Sequence, residues 1–107
     1  MPLYQRAIEA GLTGELRRRA VIQMASSLRN LGRPHESFAL LTTEMDAGSD
    51  HLDDAVRATL ALALTDVGRE REAVSLAIAA LAPHLPRYQR SMANYARLLL
   101  DPEPGHP

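Results

Sequence analysis

The 107-residue chain has no cysteine, no tryptophan and no lysine, and only 4% of it is aromatic. Without cysteine there is no disulfide framework, no thiolate zinc site and no thiol nucleophile. Without lysine, all 12 basic residues are arginine, and 13 acidic residues bring the formal net charge to −1. Binding to nucleic acid normally needs a basic excess on one face, so a nucleic-acid partner is not expected. No apolar run approaches the ~20 residues of a membrane span. The opening MPLYQRAIEAG lacks the basic stretch and apolar core of a signal peptide, and a cytoplasmic location is the expectation.

Catalytic signatures are missing as well. The sequence holds no HExxH, phosphate-loop or GxSxG pattern and no histidine pair at i, i+4. His35, His51, His84 and His106 stand beside expected turns or in the tail, where exposed or capping roles suit them better than metal ligation. Asp53 and Asp54 suit a helix N-terminus, where negative charge meets the helix dipole. Nothing pairs a nucleophile with a base. The reading is a non-enzyme without cofactor or metal.

What is present is alanine and leucine in a chain that is 46% hydrophobic, a composition that favours helices over strands in a single domain. Thr13 is expected to cap a first helix, whose apolar face is Val21, Met24, Leu28 and Leu31 at spacings of three and four. Gly32 supplies the left-handed backbone that stops it, and Pro34 opens the next helix. Phe38, Leu41 and Met45 form the second stripe, ended near Gly48. Asp50 or Ser49 is expected to cap a third helix carrying Val56, Leu60, Leu64 and Val67, broken by Gly68. Val74, Ala77 and Leu81 mark a fourth helix ended by Pro83. Pro86 opens a fifth, with Met92, Tyr95, Ala96 and Leu99 on one side. DPEPGHP, residues 101–107, reads as a flexible tail.

The stretches LRNLGRPHESFALL and LTDVGREREAVSLA, beginning at Leu28 and Leu64, share a pattern with the two glycines 36 residues apart. Such a period points to stacked helix–turn–helix units, each too small to hide its apolar faces alone. The opening Tyr4, Ala7, Ile8 and Gly11 fall in line with Leu41, Glu44, Met45 and Gly48, like a second-type helix without its first-type partner.

This pattern resembles the tetratricopeptide repeat family, built from ~34-residue helix pairs. The residues that carry the resemblance are the small Ala25 and Ala61, the large Leu28 and Leu64, the turn glycines Gly32 and Gly68, and the small Ser37 and Ala73. The departures are Val21 and Arg57 where tryptophan is usual, alanine in place of the glycine after the early leucine, Glu44 where the second unit has Ala80, and a helix-ending proline only near Pro83. The resemblance implies an all-α fold of antiparallel helical repeats stacked as a short right-handed solenoid. It would hold a partial repeat over 1–12, repeats over about 18–50 and 54–85, and a capping helix over 86–100.

The resemblance also implies a non-catalytic scaffold or adaptor that takes a peptide or protein segment in a groove lined by first helices. Carried over by position, the groove would show Arg19, Gln23, Ser26, Arg29 and Asn30, then Ala55, Thr59, Leu62 and Asp66, then Arg90, Asn94 and Arg97. Arginine grips a carboxylate with paired hydrogen bonds, so an acidic or C-terminal segment is the expected ligand. The family's lysine- and asparagine-based carboxylate groove is not reproduced, since Ile22, Ser26 and Thr59 stand at its positions. The alternative is a solvated arginine face paired with Glu15 and Asp66. A second function is a small-molecule-sensing or enzyme-accessory domain with a pocket near Leu62 and Tyr95. Homodimerisation through Tyr4 and Ile8 is a further expectation, from their uncovered apolar surface. The three consecutive arginines of LRRRA, residues 16–20, wrap around a helix and read as a solvated helix start.

Overall fold

The computed structural model describes residues 14–101. Among them lie five α-helices and no strand: α1 (Gly14–Asn30), α2 (Pro34–Asp46), α3 (Asp53–Asp66), α4 (Glu70–Leu81) and α5 (Gln89–Leu98), with a 3₁₀ turn at Ala82–His84. Thr13, Tyr4, Ile8 and His106 lie outside the described residues. No described helix is long and apolar enough to cross a membrane.

The repeated Leu-x-x-φ-Gly-Arg-x-x-Glu (φ apolar) encodes the turn inside each hairpin. Leu28 and Leu64 occupy the third-last helical position. Their carbonyls accept from Arg33 N and Arg69 N, at 2.8 Å in both units. Gly32 N donates to Arg29 O at 3.0 Å and Gly68 N to Thr65 O at 3.1 Å. This pair of hydrogen bonds is the Schellman closure, and it places the glycine at positive φ. The angles are +77° at Gly32 and +85° at Gly68. The next helix then has no side-chain cap. Instead Arg33 forks onto Glu36, and Arg69 onto Glu72 at 2.8 and 2.6 Å. These contacts raise both arginine pKa values and lower both glutamate values, the side-chain hydrogen bonds being the largest cause. Leu31 falls inside this turn and is 60% exposed, so it does not belong to the apolar stripe expected of it.

Packing follows the period through the first unit and the start of the second. Ala25, Leu41, Val56, Leu60, Ala61, Ala63, Leu64 and Ala73 form one buried cluster, with Phe38 and Met45 against it. Ala25 is fully buried, and Ala61 is nearly so. Helix α3 packs on both α2 and α4, and α1 lies alongside α3.

Two expectations fail at the third helix and the last. The third helix starts at Asp53 with Leu52 at its cap. Asp50 acts one turn earlier, accepting from Leu52 N at 2.8 Å, while Ser49 Oγ donates to Asp53 Oδ2 at 2.6 Å. The last helix opens at Gln89, not Pro86, after Tyr88 in the left-handed region at φ +69°.

The stripe Val74, Ala77 and Leu81 is on the outside. Val74 is 47% and Leu81 54% exposed, and Ala77 is exposed too. The buried side of α4 is Ala73 and Ser75. The reason is where α5 sits. Ser75 Oγ donates to Ala96 O at 2.6 Å, and Arg71 Nε to Leu99 O at 2.7 Å. Thus α5 covers the Arg71–Ser75–Ala82 side of α4, whereas α3 covers the Phe38–Leu41–Met45 side of α2.

The reading of LRRRA as solvated is overturned at Arg18, which is 5% exposed. Its Nη1 meets Asp50 at 2.9 Å and Asp53 at 2.7 Å, and its Nε lies 3.5 Å from Glu44. Glu44, itself 3% exposed, also accepts from Arg17 at 2.7 Å. This cluster ties α1 to the end of α2 and to the 47–52 connection.

Candidate functional site

Two surfaces stand out, on opposite sides of α3. The first is the exposed face of α1 and α3. Arg19, Gln23 and Asn30 are exposed and Ser26 is half-buried on α1. On α3, Leu62 is 51% exposed, and Thr59 spends its hydroxyl on Ala55 O at 2.8 Å. Arg29 is bound to Asp66 at 2.5 Å across the two helices. Arg19 stands 4.0 Å from Glu15, both side chains about half exposed. An exposed pair of this kind is weak and easily exchanged for a ligand carboxylate, whereas Arg29 is held more firmly.

The remaining positions expected in this groove are not beside it. Helix α5 approaches α4 and the 3₁₀ turn, and no Cα of it comes within 8 Å of α3. Arg90, Asn94 and Arg97 are exposed on α5, with Arg97 Nη2 donating to Asn94 Oδ1 at 2.7 Å. Leu62 on α3 and Tyr95 on α5 are both over half exposed.

The second surface is a cleft of about 470 Å³ between α2 and α4, floored by Leu60 and Leu64 and walled by Phe38, Met45, Leu76 and Arg97. The backbones of α2 and α4 do not approach one another, so α3 forms the bottom and α5 overhangs one side. Arg69 sits 4.7 Å from the Phe38 ring centre, a cation–π contact at the rim. The volume lies in the range of small-molecule sites. Sequence reasoning missed this cleft because its lining residues read as ordinary core stripes. It arises from the spacing of two second helices, a tertiary quantity.

The carboxylates near the start of α3 each meet histidine or arginine neighbours. His51 Nε2 lies 2.8 Å from Glu15, and His84 Nε2 2.8 Å from Asp54. The His84 hydrogen bond is the largest cause lowering the Asp54 pKa, with Arg57 next. Asp53 is lowered to about 2, first by the Ser49 hydroxyl, then by the Asp50 N–H, then by Arg18. Among the described residues no group of three histidine, cysteine or acidic side chains could hold a metal ion.

Compared with protein families, residues 1–99 match the tetratrico peptide repeat. Comparison with curated proteins and with solved structures gave no match. Members of the matched family typically mediate protein–protein interaction and are generally non-catalytic scaffolds. With its matched length, its repeated Schellman turns and its stacked hairpins, the chain belongs to the tetratricopeptide repeat family.

Proposed function

We propose that the chain is a non-catalytic interaction scaffold whose α1–α3 face takes a peptide or protein segment of acidic or C-terminal carboxylate character. The observation that carries this reading is the side-by-side placement of two first-type helices. A half-exposed Leu62 sits on that face, with Arg19, Gln23 and Asn30 exposed along α1. Leu62 offers apolar contact, and the exposed guanidinium offers paired donors to a carboxylate. The test is titration of labelled glutamate-rich decapeptides, with free and amidated C termini, against the chain and its Arg19→Ala and Leu62→Ser variants. Each substitution is expected to weaken binding about tenfold, the size of one lost charge-assisted hydrogen bond for Arg19→Ala and of about 1.5 kcal/mol of lost apolar contact for Leu62→Ser. Unchanged affinity in both ends the reading. Action in the cytoplasm is part of the same proposal and rests on the sequence.

A second reading is favoured by the apolar cleft between α2 and α4, which suits a small hydrophobic molecule. A thermal-shift screen against metabolites, repeated with Phe38→Ala, separates it from peptide binding. Dimerisation through Tyr4 and Ile8 is also proposed, and light scattering over a concentration series tests it; a constant monomer mass rules it out.

A further inference from the structure

The three first-type positions share a short pattern. Met24-Ala25 is followed by Leu28, Leu60-Ala61 by Leu64, and Tyr95-Ala96 by Leu99. The third lies on α5, so α5 carries the stripe of a first-type helix. It does not stand where such a helix stacks. In the first unit, α3 covers Leu41, which is fully buried, with Phe38 and Met45 beside it, while Ala39 and Asp46 on the same helix are exposed. On α4, 36 residues on, the burial is reversed. Val74, Ala77 and Leu81 are exposed, while Ser75 and Ala82 are buried at 5% and 2%. The bare end continues onto α3. Ile22 packs on the core between α1 and α3, but its equivalent Ala58 is exposed.

We infer that α5 has two seats: the observed one over the back of α4, and a stacked one on the Val74–Ala77–Leu81 face of α4, beside α3, which completes the peptide groove. Three features of this chain say that α5 is the occupant. Its connection, residues 82–88, is one residue longer than the 47–52 connection that delivers α3 onto α2, so the reach suffices. The end face is smaller than its first-unit counterpart, with Val, Ala and Leu for Phe, Leu and Met. Helix α5 is correspondingly larger, with Tyr95 for Leu60 and Leu98 for Ala63. The connection also holds a non-glycine residue, Tyr88, at positive φ, a sparsely populated backbone state that a change of seat would release. A tethered helix meets its own end face at high effective concentration, which favours this seat over docking of a second copy.

The inference rests on the proposed groove and names its regulation. In the stacked seat, Arg90, Asn94 and Arg97 stand in register with Ala55, Thr59 and Leu62, and the groove gains a third wall. In the observed seat they are away from it. A segment that contacts all three helices therefore selects the stacked seat, and its apparent affinity falls by the fraction of molecules not in that seat.

Because the chain lacks cysteine, engineered thiols report the seats directly. Ala77→Cys with Tyr95→Cys places thiols at the positions of Leu41 and Leu60, which share one buried cluster. Ser75→Cys with Ala96→Cys places them across the observed contact. Under oxidised glutathione both pairs are expected to close within the monomer, read by mass and by non-reducing gel. The stacked lock is expected to bind the free-carboxylate decapeptide at least tenfold more tightly than the back lock. Independently, a lone thiol at Leu81→Cys, exposed in the observed seat, is expected to react with maleimide several-fold more slowly when peptide is added. The two-seat inference is overturned if the Ala77/Tyr95 pair stays open or joins separate chains while the peptide leaves the Leu81→Cys rate unchanged. If the stacked pair closes but neither lock binds peptide, the two seats stand and the groove reading falls. If peptide binds both locks equally, the regulation falls and the groove on α1 and α3 stands.

Discussion

Arg18 and Glu44 form the buried ionic contact most open to a quantitative test. Arg18 is 5% exposed and Glu44 3%, and Glu44 stands where the second unit has Ala80. Breaking a buried pair on one side costs about 3–5 kcal/mol, because the other charge is left without compensation. The two single variants differ in what they leave behind. Arg18→Ala leaves Glu44 with Arg17 as its one cation among the described residues, and that side chain is 36% exposed, so about 3 kcal/mol is expected. Glu44→Ala leaves Arg18 with Asp50 at 2.9 Å and Asp53 at 2.7 Å, so the cost falls to about 2 kcal/mol. The double variant removes both charges together and is expected to cost about 3 kcal/mol, a coupling of about 2 kcal/mol. The assay is urea unfolding followed by far-ultraviolet circular dichroism, since no tryptophan is present. With a slope of about 1.5 kcal/mol per molar, Arg18→Ala shifts the midpoint by about 2 M. Strict additivity would refute the reasoning. So would single costs under about 0.5 kcal/mol, the value of a solvated surface pair.

Leu41 is fully buried and Leu81 half exposed, although both belong to second-helix stripes. Leu41→Ala is expected to cost about 2–5 kcal/mol and Leu81→Ala under about 1 kcal/mol by the same unfolding assay. Ser37 Oγ is buried without a hydrogen-bond partner among the described residues, and the second unit has Ala73 at that place. Ser37→Ala is therefore expected to raise stability by about 1 kcal/mol. The Asp53 carboxyl, lowered to about 2, contributes stability that is complete above the ordinary aspartate value near pH 4. That contribution is lost as the pH falls from there toward 2. Unfolding measured across this window is expected to lose part of its pH dependence in Asp53→Asn, and an unchanged profile would contradict the assignment.

Much of the architecture was legible in the residues. Gly32 and Gly68 mark the inner turns because only a residue free of a Cβ takes positive φ without strain. Ala25 and Ala61 mark close helix contacts. Leu31, Val74 and Leu81 misled the periodic reading, since periodicity finds an apolar face without saying whether a neighbour covers it. Position within the repeat put Arg19, Gln23 and Asn30 on α1 and Leu62 on α3, and all four are exposed there. The place of Arg90, Asn94 and Arg97 was not legible, because the same stripe on α5 can seat on either side of α4. Glu44 carried a signal in its departure from the small residue of the second unit. Its partner Arg18 looked like one of three equivalent arginines.

The sequence by itself determined the helices, their turns and the repeat, because those depend on glycine backbone freedom and on apolar spacing within a few residues of one another. Only the tertiary structure decided which apolar stripes are covered, that Arg18 is buried among carboxylates, and that α5 lies over the back of α4. Those outcomes depend on which of several compatible surfaces meet in space, and local spacing is the same for each of them.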